Sequence, residues 1–132
     1  MNIAHVALWT RNLNAQVSFW QQIFGGISNE RYVSKNRAGF ESHFITLSQG
    51  PTIELMTLPK LSAAPEHSEF VGWAHIAVDV GTKADVDRLA DNARQSGTLL
   101  SPARITGDGY YEAVIADPDG NRIELVAERD KK

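Results

Sequence analysis

Hydrophobic positions recur with two different periods along this 132-residue chain. Residues 2–10 alternate and are rich in β-branched and aromatic side chains, the pattern of a half-buried strand. Asn12 stands where a helix N-cap belongs, and Leu13, Val17, Trp20 and Phe24 follow on one helical face. Gly25-Gly26 ends that helix. Strand patterning returns at 27–34, 42–48 and 52–58, with Gln49-Gly50-Pro51 as the turn before the last. A further strand is predicted over 73–80. Thr82 with Asp85 then resembles a capping box, Asp being a weaker partner than Glu or Gln. Val86, Leu89, Ala90 and Ala93 form an apolar stripe ended by Gly97. The last predicted strands, 98–106, 110–117 and 122–128, are separated by Gly107-Asp108-Gly109 and Asp117-Pro118-Asp119-Gly120.

The two series are one unit written twice. Ile3-Ala4-His5-Val6-Ala7-Leu8 recurs as Trp73-Ala74-His75-Ile76-Ala77-Val78, and Thr52-Ile53-Glu54-Leu55-Met56 as Arg122-Ile123-Glu124-Leu125-Val126. The offset is 70 residues in both cases. Each half therefore reads as strand, helix, three strands. The expected organisation is a first module over 1–58, a linker over 59–72 carrying Pro59 and Pro65, and a second module over 73–132. The Lys131-Lys132 end is expected to fray.

Composition narrows the function classes. Hydrophobic residues make up 42% and charged residues 22%, a globular balance. With a net charge of −3 and no basic stripe, the chain has no sequence-independent grip on nucleic acid. It contains no cysteine, which removes disulfides, thiolate nucleophiles and Cys-ligated metals. No apolar run approaches the ~20 residues of a membrane span. The N-terminus passes directly into strand-like sequence, and a cytoplasmic protein without membrane partners is expected.

The repeat also duplicates a polar pair among apolar residues: His5 with Glu54, and His75 with Glu124. Alternate strand residues face opposite sides. His5, Ala7 and Trp9 therefore share one face and Val6 and Leu8 the other; Ile53 and Leu55 oppose Glu54. The second half repeats this, with Ile76, Val78 and Val80 opposing His75, and Ile123 and Leu125 opposing Glu124. If the apolar faces pack on the two helices, the four polar residues project from the opposite face. Two curved sheets brought together would aim them into one cavity. Two neutral imidazoles and two carboxylates balance a divalent cation and leave positions for water or substrate. A single strand His or Glu has no such meaning; the repeated pair on matching strands does.

On these residues the chain resembles the vicinal-oxygen-chelate (glyoxalase-like) superfamily. Phe19-Trp20, Phe24-Gly25 and the stretch from Asp117 to Leu125 add to the resemblance, which spans nearly the whole chain. It implies an α+β fold in which two βαβββ modules form an eight-stranded, cup-like incomplete barrel. It implies one divalent ion held by His5, Glu54, His75 and Glu124, with Ni or Zn ahead of Co, Mn or Fe. Glutamate at both carboxylate positions is most similar to glyoxalase I. That implies a metal-dependent lyase or isomerase: proton abstraction from a small vicinal-oxygen substrate, with ene-diolate stabilisation and Glu124 as the base. A glutathione hemithioacetal is one candidate substrate. Trp9, however, stands where such enzymes carry an arginine for glutathione, and Met56-Thr57-Leu58-Pro59 lacks their asparagine. An Fe(II) dioxygenase using three of the four residues, or a non-catalytic drug- or metabolite-binding protein, remain alternatives. Family members of this length commonly pair as homodimers whose metal draws ligands from both subunits.

Other residues carry less. His67 lies in the linker between Glu66 and Ser68 and is expected to be solvated. His43 opens a strand and is a weaker candidate for the cavity. Lys35 and Arg37 lie in the polar segment 34–39, which reads as an exposed loop with ordinary charges, the alternative being closure over an anionic substrate. Tyr110 and Tyr111 must face opposite sides, so at most one meets substrate. Trp9 shares its face with His5 and is the candidate apolar wall.

Overall fold

The computed structural model describes residues 1–67 and 69–127. Residue 68 and the segment 128–132, which includes the Lys131-Lys132 end and the last residue of the strand expected over 122–128, lie outside the described residues. The chain divides into two compact units, Met1–Ala64 and Pro65–Lys132. Residues 58–67 and 69–75 contain no helix or strand.

The first unit runs β1 (His5–Trp9), α1 (Leu13–Phe24), β2 (Ile27–Ser28), β3 (Tyr32–Val33), β4 (Glu41–Thr46) and β5 (Thr52–Thr57). The Asn12 side chain accepts from the Ala15 N–H at 3.0 Å and caps α1. Gly25 closes the helix in the left-handed conformation, φ 66°. Gly26 has a separate reason to lack a side chain: a Cβ there would meet Ile45 Cγ2 at 2.5 Å. Trp20, Ile45, Ile53 and Leu55 form the core under α1. The sheet order is β1-β5-β4-β2, with β3 also on β4. β1 lies parallel to β5, with Val6 opposite Ile53, Ala7 opposite Glu54 and Trp9 opposite Met56.

The second unit runs β6 (Ile76–Gly81), α2 (Lys83–Ser96), β7 (Leu99–Ile105), β8 (Tyr111–Ala116) and β9 (Arg122–Ala127), its sheet ordered β6-β9-β8-β7. The expected capping box forms: the Asp85 N–H bonds Thr82 Oγ1 at 3.2 Å, and the Thr82 N–H bonds Asp85 Oδ2 at 3.0 Å. These bonds from Thr82 favour the charged form and hold the Asp85 carboxyl below its ordinary range. Val86, Leu89, Ala90 and Ala93 bury the predicted stripe, and Ile115, Ile123 and Leu125 supply the buried sheet residues of this unit. β6 lies parallel to β9 with the first unit's register: Ile76 opposite Ile123, Ala77 opposite Glu124, Asp79 opposite Val126.

The α+β class and the doubled βαβββ order are as expected, but the strand count is not. The single strand expected over 27–34 is two short strands, so the described residues hold five plus four strands rather than eight. Asn29 is the cause. Its Oδ1 accepts from the Phe44 N–H at 2.7 Å, and such side-chain bonding displaces a regular ladder. The two first-in-unit strands also begin later than their patterning suggests, at His5 and Ile76. His75 therefore lies one residue ahead of its strand. Neither sheet closes on itself, and no described helix is long and apolar enough to cross a membrane.

Candidate functional site

The shared register decides where the polar pairs fall. Leu8, Ile53 and Leu55 turn toward the helix side of the first sheet; His5, Trp9 and Glu54 turn away from it. His5 Nε2 lies 3.8 Å from Glu54 Oε1. In the second unit His75 Nε2 lies 3.2 Å from Glu124 Oε1. All four predicted residues thus fall into two matching pairs, one per unit. Among the described residues, no three His, Asp or Glu side chains gather as a metal site.

Stability does not account for the duplication. Both imidazoles are roughly half exposed, where an ion pair contributes on the order of 0–1 kcal/mol. The donor chemistry fits metal ligation better. Imidazole nitrogen and carboxylate oxygen each sit about 2.0–2.2 Å from a zinc-like ion, which at a tetrahedral angle separates them by roughly 3.4 Å. The two observed separations bracket that value.

The turn before Glu124 is rigid. Asp117, almost fully buried, accepts from the Asp119 and Asn121 N–H groups at 2.9 Å each and from Asn121 Nδ2 at 2.8 Å. Glu124 is thereby fixed three residues past an anchored turn. In the first sheet the neighbours are aromatic: the Phe44 ring, opposite Glu54, meets the His5 ring edge-on at 5.8 Å.

The second sheet holds a carboxyl that sequence reasoning passed over. Glu112 pairs with Val126, one step along the open face from Glu124, and Arg104 lies opposite it on β7. Burial pushes the Glu112 carboxyl above its ordinary range. The Glu124 charge, a hydrogen bond with Glu124 and the Asp108 charge add to this, while Arg104 opposes it. The repeat held the signal, since Glu112 occupies the place of Ser42 at the 70-residue offset.

His43 pairs with Leu55 on the helix side, its Nδ1 3.0 Å from both Ser28 Oγ and the Asn29 carbonyl. It does not join the His5–Glu54 face. Tyr111 turns toward α2, where its hydroxyl donates to Asp87, and that bond raises its pKa. His67 is exposed. Arg37 is exposed, as expected of the 34–39 loop, and its guanidinium lies over the Trp9 ring, 5.7 Å from the centroid.

The doubled βαβββ order defines a class of fold, and comparison with known proteins agrees. The profile of the Glyoxalase/Bleomycin resistance protein/Dioxygenase superfamily matches residues 2–125, and the chain belongs to that superfamily. Among curated proteins it is similar to a lactoylglutathione lyase of Arabidopsis thaliana, GLX1, with 22% identity over 125 residues. That match takes in 92% of this chain but only 42% of the relative's length. Among solved structures, the glyoxylase/bleomycin resistance protein/dioxygenase domain from Frankia sp. EAN1pec superposes with a TM-score of 0.83. It is 17% identical, covering 100% of this chain and 95% of that one. A fosfomycin resistance protein from Listeria monocytogenes superposes at 0.67 with 19% identity, covering 100% and 94%. At such identities the structures speak for the fold alone.

Proposed function

We propose that the chain is a metal-dependent, glyoxalase-like lyase or isomerase in which His5, Glu54, His75 and Glu124 together ligate one divalent ion. The observation carrying this reading is the duplicated His–Glu pair, its glutamate at the same register in both units and each imidazole nitrogen 3.2–3.8 Å from its carboxylate oxygen. The donor set suits several divalent ions, and nickel or zinc is preferred through the resemblance to glyoxalase I. The working form is a cytoplasmic homodimer, with each site drawing on two subunits. When bound, the ion supplies Lewis-acid polarisation of two neighbouring substrate oxygens.

The protein's own groups do the rest. Glu124 takes the proton from the carbon beside the substrate carbonyl and returns it to the neighbouring carbon. His5 and His75 would hold the ion through Nε2, the ring nitrogen that faces each glutamate. Glu124 is preferred over Glu54 as the base because its turn is anchored and its surroundings resemble those of the glyoxalase I base. The likeness to a lactoylglutathione lyase supports the reaction class, and the Trp9 position argues for a substrate other than glutathione.

The test is metal stoichiometry on protein purified without chelators. One equivalent of nickel or zinc is expected per site in the wild type, none after His75→Ala, and no change after His67→Ala. Equal binding by both variants would show the ligand set to be wrong.

A further inference from the structure

The open face of the first sheet carries a second group of side chains one step beyond Glu54. Trp9, Met56, Ser42 and Tyr32 form a single row across β1, β5, β4 and β3. The row below it holds Ala7, Glu54 and Phe44. Two residues along a strand span about 7 Å, so the Trp9 row lies about that far from Glu54.

Three rings meet there. Phe40 contacts Trp9 edge-on at 6.0 Å and Tyr32 at 6.3 Å. Trp9 is 43% exposed and Tyr32 54%. Single exposed aromatics are ordinary, but adjoining ones on the face of a candidate site mark a binding surface. The Arg37 guanidinium lies over both Trp9 and Phe40, 5.7 and 5.8 Å from their centroids. No carboxylate pairs with it among the described residues. A guanidinium stacked on a ring keeps its in-plane N–H fork turned outward, and that fork matches a carboxylate.

The loop that carries Arg37 is built to hold it. Ser34 Oγ accepts from the Arg37 N–H at 3.0 Å, and the Ser34 N–H bonds the Phe40 carbonyl at 3.0 Å. Gly39 has φ 79° and sits so close to Pro59 that a Cβ would meet its ring at 2.3 Å. The loop is thereby tied to the segment that follows β5. An arginine fixed before the ligand arrives loses less freedom on binding.

We propose that Trp9, Tyr32, Phe40 and Arg37 form the recognition end of the substrate site and take a planar aromatic carboxylate, its ring against Trp9 and its carboxylate on Arg37. The remote end of such a molecule then reaches Glu54. The placement relative to the reaction rests on the proposed metal-bearing face; the binding itself does not.

The probe is benzoate, titrated into the metal-free full chain and followed by the Trp9 indole N–H and the amides of residues 34–40 in NMR spectra. Saturable shifts at these groups are expected. Arg37→Gln should weaken binding roughly tenfold or more, as loss of a charged hydrogen-bonding partner does. Trp9→Ala should remove it, Trp9→Phe should retain part of it, and acetate or benzyl alcohol should bind far more weakly. Absence of shifts at Trp9, indifference to Arg37→Gln, or tighter saturation of the same residues by S-methylglutathione would overturn the proposal. The nickel isotherm of Arg37→Gln, expected to match wild type, separates the two readings. A chain that binds benzoate but no nickel sinks the metal centre and leaves the subsite standing.

Discussion

The two sheets place their glutamates at the same register and surround the His–Glu pairs differently. In both, the glutamate lies opposite an alanine, Ala7 or Ala77, on a parallel neighbour. Around that constant, the first sheet is aromatic where the second is acidic or aliphatic. Trp9 answers to Asp79 and Phe44 to Val114, while the small Ser42 answers to Glu112. The helices diverge too: Trp20, fully buried on α1, answers to Ala90 on α2. The difference teaches which features the geometry needs twice and which it needs once. A His–Glu couple belongs to both halves, an exposed aromatic cluster to the first alone, and an extra carboxyl beside the glutamate to the second alone.

The sharpest way to break this comparison is to remove each carboxylate charge in turn. Glu124→Gln should keep most of the metal, since an amide oxygen still ligates. Turnover of the metal-loaded protein should fall by roughly 10²–10⁴-fold, the usual worth of a positioned base. Glu54→Gln should cost much less. An active Glu124→Gln protein beside an inert Glu54→Gln one would reverse the roles, and equal loss with the metal gone would leave both as ligands only.

The cores come next in size. Trp20→Ala should cost about 3–5 kcal/mol in urea unfolding, the range for emptying a buried aromatic site. Ala90→Gly, its counterpart, should cost about 1 kcal/mol through helix propensity. Similar losses would mean the first core is not keyed on one ring.

The smallest effect concerns Glu112, whose folded-state pKa is raised above its unfolded value. A carboxyl so shifted leaves stability intact while protonated and withdraws it as pH rises from the ordinary glutamate range through the raised pKa. Metal-free Glu112→Gln should therefore be more stable than wild type near neutral pH, with the gap closing in acid. Urea midpoints at a series of pH values measure it. A gap that widens in acid would contradict the raised Glu112 pKa that burial and the Glu124 charge produce.

Much of this was legible in the chain because it was written twice. The caps at Asn12 and Thr82, the stops at Gly25 and Gly97, and both His–Glu pairs follow from local pattern and one offset. What escaped depends on register or on long-range bonding. Asn29 interrupts a strand only because the Phe44 backbone, fifteen residues on, comes within its reach. Glu112 becomes a neighbour of Glu124 only once β8 and β9 are aligned. Arg37 looks like an ordinary loop charge until the hairpin folds it over Trp9.

Parallel pairing also predicts an order of assembly. β4 and β5 are joined by a short turn and can zip together in microseconds, whereas β1 must wait for a loop of about forty residues to close before it meets β5. The same holds for β6 and β9. Each histidine therefore reaches its glutamate through the most non-local strand pairing of its unit, which is expected to form after the antiparallel strands. During refolding, each His–Glu couple should be completed last, and a metal ion captured by it would report the end of folding rather than its beginning.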